Sequence, residues 1–191
     1  FGRTDNVAFW LKRFPDWDLE RKNKVVGGVA LGHAVYMGPH RLELVKVLLE
    51  HEASVNHLND SGGSIVMALC NSEDADPELL ELLLLKMKSG SVNYMLRGRT
   101  LKWRNIYRLV QLLTRNNLTQ SGLMTALAQD SGSTALHYAV QRGDVDCVNL
   151  LLENGADPTI KNDLGKTPVD YCDAFPELRG ALKRVMQQRK E

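Results

Sequence analysis

Asp130-Ser-Gly-Ser-Thr-Ala-Leu-His-Tyr-Ala139 is followed by Arg142-Gly-Asp-Val-Asp-Cys-Val148 and then by Leu151-Leu-Glu-Asn-Gly-Ala-Asp157. Gly132-Ser-Thr134 reads as a β-turn entering a helix, with the Thr134 hydroxyl placed to cap free backbone N–H groups. The glycine has counterparts along the chain. Gly27, Gly62, Gly98, Gly132 and Gly165 are spaced by 35, 36, 34 and 33 residues. Two positions after each stand Val29, Ser64, Thr100, Thr134 and Thr167, followed by Ala30, Ile65, Leu101, Ala135 and Pro168. The second half of the unit recurs as Leu48-Leu-Glu-His-Glu-Ala-Ser-Val-Asn56, and more loosely from Leu84 to Asn93. A fixed period of this size means a stack of helical units, each burying its apolar face on its neighbours.

The segment 130–157 resembles an ankyrin repeat, whose pattern runs Gly-x-Thr-Pro-Leu-His-x-Ala, a glycine turn, then Leu-Leu-x-x-Gly-Ala; Ala135 stands at the proline position. The resemblance implies an all-α ankyrin-repeat solenoid of helix-turn-helix units joined by short β-turn or hairpin connections, about five units with partial ends. The units are a partial N-terminal repeat over 1–24, repeats over 25–58 and 59–95, a divergent basic repeat over 96–129, the best match over 130–161, and a capping repeat over 162–191. Insertions lengthen two turns, at Pro39 to Arg41 and at Asn71 to Pro77. The N-terminal segment aligns with the second half of a unit, so further residues are expected upstream, in a longer protein or complex.

What the resemblance implies functionally is binding of another protein, without catalysis, through hairpin tips and the concave face of the first helices. On that surface the candidate contacts are Tyr36, Met37, Asn59, Asp60, Asp130, Ser131, Tyr138, Arg142, Asn162 and Asp163. His137 is expected to hydrogen-bond neighbouring turns. A scaffold or a regulatory module of a larger enzyme both fit this picture.

Residues 96–129 depart from the pattern. Lys102, Trp103 and Asn105 replace Leu, His and Ala, and no Gly-Ala hairpin follows. The periodicity predicts a long helix from about Thr100 to Arg115 and a shorter one from about Thr119 to Ala128. At 100° per residue, Trp103, Ile106, Val110 and Leu113 share one face, and Arg104, Arg108, Gln111 and Arg115 the other. Arg97, Arg99 and Lys102 lie just upstream, completing a basic patch.

Net charge is +1, yet between Glu81 and Asp130 there is no acidic residue and eight lysines and arginines. That block carries +8 and the rest of the chain −7. Three readings of the patch stay open. The arginines are a solvated helix face or pair with the acidic remainder; they dock an acidic protein or an anionic membrane surface; or they contact nucleic acid, which ranks last.

Composition adds exclusions. The chain has 191 residues, 43% hydrophobic and 25% charged, which removes disordered and collagen-like classes. Cys70, Cys147 and Cys172 form no CxxC pair, and none of the five histidines stands at metal-ligand spacing to a cysteine. Gly27-Gly28 and Gly62-Gly63 are not followed by the residues of a phosphate loop. No cofactor, metal or catalytic residue is expected, and the compartment expected is intracellular, the cytoplasm first.

Overall fold

The computed structural model describes residues 4–36, 41–88, 90–119 and 121–188. Ten α-helices are found among them: α1 (Thr4–Arg13), α2 (Ala30–Tyr36), α3 (Arg41–Glu50), α4 (Ile65–Cys70), α5 (Pro77–Lys86), α6 (Leu101–Arg115), α7 (Gly122–Asp130), α8 (Ala135–Arg142), α9 (Val145–Glu153) and α10 (Pro176–Gln188). Two 3₁₀ segments, Ser91–Asn93 and Pro168–Ala174, complete the regular structure. No helix among the described residues is long and apolar enough to cross a membrane.

Helix starts follow from the residues before them. The side chains of Ser64, Asp76, Thr100 and Asp144 each accept a hydrogen bond from a free N–H in the first turn that follows. At Thr134 the capping is reciprocal: the Thr134 N–H donates to His137 Nδ1 at 3.1 Å. Because Nδ1 accepts there, the proton lies on Nε2, which donates to the Lys166 carbonyl at 3.1 Å. His137 thus ties its own helix to the next turn. Burial lowers its pKa, partly offset by the Lys166 carbonyl and the Asp170 charge, so the ring is held neutral.

The stack is an inner row and an outer row. In the inner row α2 packs on α4, α4 on α8, and α8 on Pro168–Ala174; in the outer row α1 packs on α3, α3 on α5, α5 on α9, and α9 on α10. Leucines at the centre of the rows, including Leu31, Leu69, Leu79, Leu83, Leu136 and Leu151, are fully buried. Small buried residues such as Ala34 and Ala139 let the short inner helices approach.

This order corrects the reading of 96–129 as a stacked repeat. Since α4 meets α8 directly and α5 meets α9, nothing is stacked between them, and α6 packs chiefly on α7. The backbone at the hairpin tips shows where the extra helices enter. Asp60 N–H donates to the Val26 carbonyl at 3.0 Å, linking the first tip to the second. Arg99 N–H donates to the Asp60 carbonyl at 3.0 Å, and Asp163 N–H to the Ser131 carbonyl at 3.0 Å. At the third tip, then, Arg99 takes the incoming bond and Ser131 the outgoing one. Leu96 and residues 132–133 close the split through bonds of 2.8 and 2.9 Å. Residues 100–130 are a helical hairpin inserted at one tip.

The glycines agree. Gly27, Gly62, Gly132 and Gly165 have φ of 68°, 92°, 78° and 76°, the left-handed region where a Cβ is strained, whereas Gly98 is not among the positive-φ glycines. Gly98 is needed for another reason. A Cβ there would lie 2.7 Å from Arg104 N, against the first turn of α6.

Candidate partner-binding groove

The inserted hairpin leans over the concave side of the solenoid and turns it into a groove of about 420 Å³. Its floor comes from the inner row: Gly32, His33 and Tyr36 on α2, Ile65 and Ala68 on α4, and Tyr138 on α8. The tips contribute Asn59, Ser61 and Gly63. Trp103 and Tyr107 from α6 and Leu127 and Asp130 from α7 form the facing wall. Small residues make the space. A Cβ on Gly32 would find its nearest neighbour, Ile65 Cγ1, at 3.9 Å.

The aromatic wall is ordered by packing. The Trp103 and Tyr107 rings lie 5.8 Å apart at 35°, and Tyr107 is 6% exposed. Burial, reinforced by the Asp130 charge and slightly offset by Ser61, pushes the Tyr107 hydroxyl up to about 12. Asp130 is pushed up by burial too, with hydrogen bonding to Tyr138 opposing the shift. Tyr138 is raised still further, first by burial and then by Asp130. The groove is mainly apolar, with the Tyr138 phenol on its floor and the Tyr107 phenol and the Asp130 carboxyl on its wall.

The anticipated contact residues divide by burial. Tyr36 is 61% exposed at one end of the groove. Asn59, Asp60, Asp130, Arg142 and Asp163 are half-buried. Tyr138, Ser131 and Asn162 are buried, which corrects their placement on an exposed surface. Their polar atoms are used inside: Asn162 Nδ2 donates to the Tyr171 hydroxyl at 2.8 Å, and Ser131 Oγ donates to Asp163 Oδ2 at 2.6 Å. Asn59 Oδ1 likewise accepts from Ser61 Oγ at 2.7 Å and Gly63 N at 2.8 Å, building its own turn. Met37 lies outside the described residues.

The basic patch also divides. Arg97, Arg99, Lys102, Arg104, Arg108 and Arg115 are exposed. Arg97 nevertheless pairs with Asp163, and Arg115 Nη2 donates to the Asp163 carbonyl at 2.6 Å. Gln111, assigned by periodicity to the solvated face, donates to Asp163 Oδ2 at 2.9 Å and Ser131 Oγ at 3.0 Å. So α6 packs on two sides, and Tyr107 sits on the side that a single apolar stripe did not contain. Among the described residues no group of three or more His, Cys, Asp or Glu could hold a metal ion. All three cysteines are free and buried, and burial raises each thiol above its ordinary value.

A sequence model of the family described as ankyrin repeats (many copies) matches residues 112–172, from the end of α6 through Pro168–Ala174. The mitochondrial disaggregase of Bos taurus is 32% identical over 134 residues, covering 70% of this chain and 20% of that protein. The nuclear factor NF-kappa-B p105 subunit of Gallus gallus is 31% identical over 151 residues, 74% of this chain and 15% of that protein. Protein phosphatase 1 regulatory subunit 27 of Homo sapiens is 30% identical over 93 residues, 44% of this chain and 60% of that protein. The chain thus spans a fifth or less of the two larger relatives. With its repeated tip glycines, its doubly bonded His137 and its two rows of stacked helices, the chain belongs to the ankyrin-repeat family.

Proposed function

We propose that this chain is a non-catalytic docking module that holds an extended segment of another protein in the groove between the inner helices and the inserted hairpin. Ankyrin repeats generally mediate protein–protein interaction, and the observation that carries the reading here is the groove itself. It is concave, mostly apolar, of about 420 Å³, and closed on one side by Trp103 and Tyr107. Concave apolar surfaces with a few fixed polar groups are where ligands gain most from leaving water. Tyr36, exposed at the groove's end, is an aromatic anchor of the type that dominates interface energetics. That one relative is named a regulatory subunit, and that others are several times longer than this chain, supports a module serving a larger protein.

Filling the groove tests this. Gly32→Leu adds a side chain on the groove face of α2, where a Cβ meets Ile65 Cγ1 at an ordinary contact distance of 3.9 Å, and it removes a helix glycine, so the fold is retained. Selection from a phage-displayed random peptide library should enrich sequences with bulky apolar anchors on the unsubstituted protein and lose them on Gly32→Leu. Equal enrichment on both proteins, or none on either, would show that the groove is not the docking site.

A further inference from the structure

Beside the groove lies a second cleft of about 360 Å³, lined by Arg97, Arg104, Arg108, Arg115 and Asp163. Tyr107 lines both cavities. One carboxylate is already seated in this cleft. Asp163 accepts from Ser131 Oγ at 2.6 Å and Gln111 Nε2 at 2.9 Å, and it pairs with Arg97. Although partial burial alone would raise its pKa, these hydrogen bonds and the Arg97 charge hold it below the ordinary carboxylate value. Arg97 and Arg115 are thereby committed to the fourth tip.

Arg104 and Arg108 are different. They stand one turn apart on α6, both are exposed, and their guanidinium groups have no hydrogen-bond or ion-pair partner among the described residues. One carboxylate facing four arginines leaves the cleft strongly positive. From Arg104 to Arg115 the helix advances about 16 Å at 1.5 Å per residue, the span of about five residues of extended chain.

We infer that the arginine cleft is an acidic-residue subsite of the peptide groove: a bound segment sets an apolar side chain against Tyr107 and a nearby Asp or Glu on Arg104 and Arg108. This rests on the docking reading above and adds the partner's charge to it. A carboxylate is the group that the cleft already seats. Planar guanidinium groups present paired donors that match a carboxylate edge-on. A protein segment is favoured over a bilayer because the cleft adjoins an apolar groove and shares Tyr107 with it, so one extended chain can reach both.

Fluorescence anisotropy with two short labelled peptides, one alternating Leu and Glu and one alternating Leu and Gln, separates the possibilities. The Leu/Glu peptide should bind about tenfold more tightly at about 0.05 M salt, and the preference should shrink at about 0.3 M. Arg104→Gln with Arg108→Gln should abolish the preference while leaving Leu/Gln binding and the unfolding midpoint unchanged; Gly32→Leu should weaken both peptides. If both bind equally, or the double variant keeps the preference, the acidic subsite is wrong and the groove stands. If neither peptide binds, both readings fall. If neither binds but vesicles containing phosphatidylserine sediment the protein, and the double variant abolishes that, the arginines serve a lipid surface and the inference fails.

Discussion

Two helical regions open with the same Gly-x-Thr signal and end differently. Every residue from 131 to 140, the third tip and most of α8, is buried; of the fifteen residues of α6 only Tyr107 and Val110 are. Leu101, Leu109 and Leu112 on α6 are between 55% and 71% exposed. The difference is one of neighbours. α8 is covered by α4 on one side, Pro168–Ala174 on the other and α9 behind, whereas α6 has α7 and one edge of the groove. In a stack, stability is the sum of such interfaces, so position in the rows decides how much a helix matters. α8 belongs to the cooperative body and α6–α7 to an appendage whose value lies in the surface it shapes.

The largest expected contrast is in packing. Leu136→Ala on α8, at a fully buried site, should lower unfolding free energy by about 2–5 kcal/mol in denaturant titration. Leu112→Ala on α6, 58% exposed, should stay within about 0.5 kcal/mol. Comparable losses at the two sites would mean that the hairpin belongs to the cooperative core.

A second contrast is in pH response. His137 is neutral when folded, with its pKa lowered chiefly by burial, while in the unfolded chain it titrates near 6.5. As pH falls below about 6.5 the unfolded state takes up a proton that the folded state does not. Stability attributable to His137 is therefore complete above that pH and is lost toward the lowered folded value, with a slope of at most about 1.4 kcal/mol per pH unit. His137→Ala should cost about 1–3 kcal/mol at neutral pH and remove this component of the slope. Parallel stability–pH curves for the two proteins over this window would contradict the neutral, doubly bonded ring.

The smallest effect is local. Thr100→Ala removes the side-chain bond to Trp103 N and should cost about 1 kcal/mol. Native-state hydrogen exchange should show faster exchange in α6 alone, with α8 and α9 amides unchanged. Acceleration spread through the stack would erase the distinction between appendage and body.

The repeat architecture was readable because its signals are backbone requirements. The left-handed turns at Gly27, Gly62, Gly132 and Gly165 are costly for other residues, and the capping side chains recur with them. The insertion was misread for a matching reason. Residues 100–130 nearly equal one period in length, and Gly98-Arg-Thr100 imitates a repeat start because a capped helix begins there, with Gly98 conserving space against Arg104 instead of turning a tip. Asn23, Asn59 and Asn162 build their turns through side-chain bonds, but no asparagine stands at the matching place before either Gly98 or Gly132, so that signal does not separate the insertion from a repeat. Of the site, the basic patch and Tyr36 were legible as surface. The burial of Tyr107, Tyr138 and Ser131 was not, since it depends on where the inserted hairpin folds back.

Asp163 sits on the fourth tip, while the arginines that converge on it come from the bridge at the third tip and from α6. The cleft therefore straddles a joint between units. Opening or tightening of the stack at that joint changes the spacing of positive charge around the one carboxylate, so the curvature of the solenoid is expressed as an electrostatic dimension that a bound segment would sense.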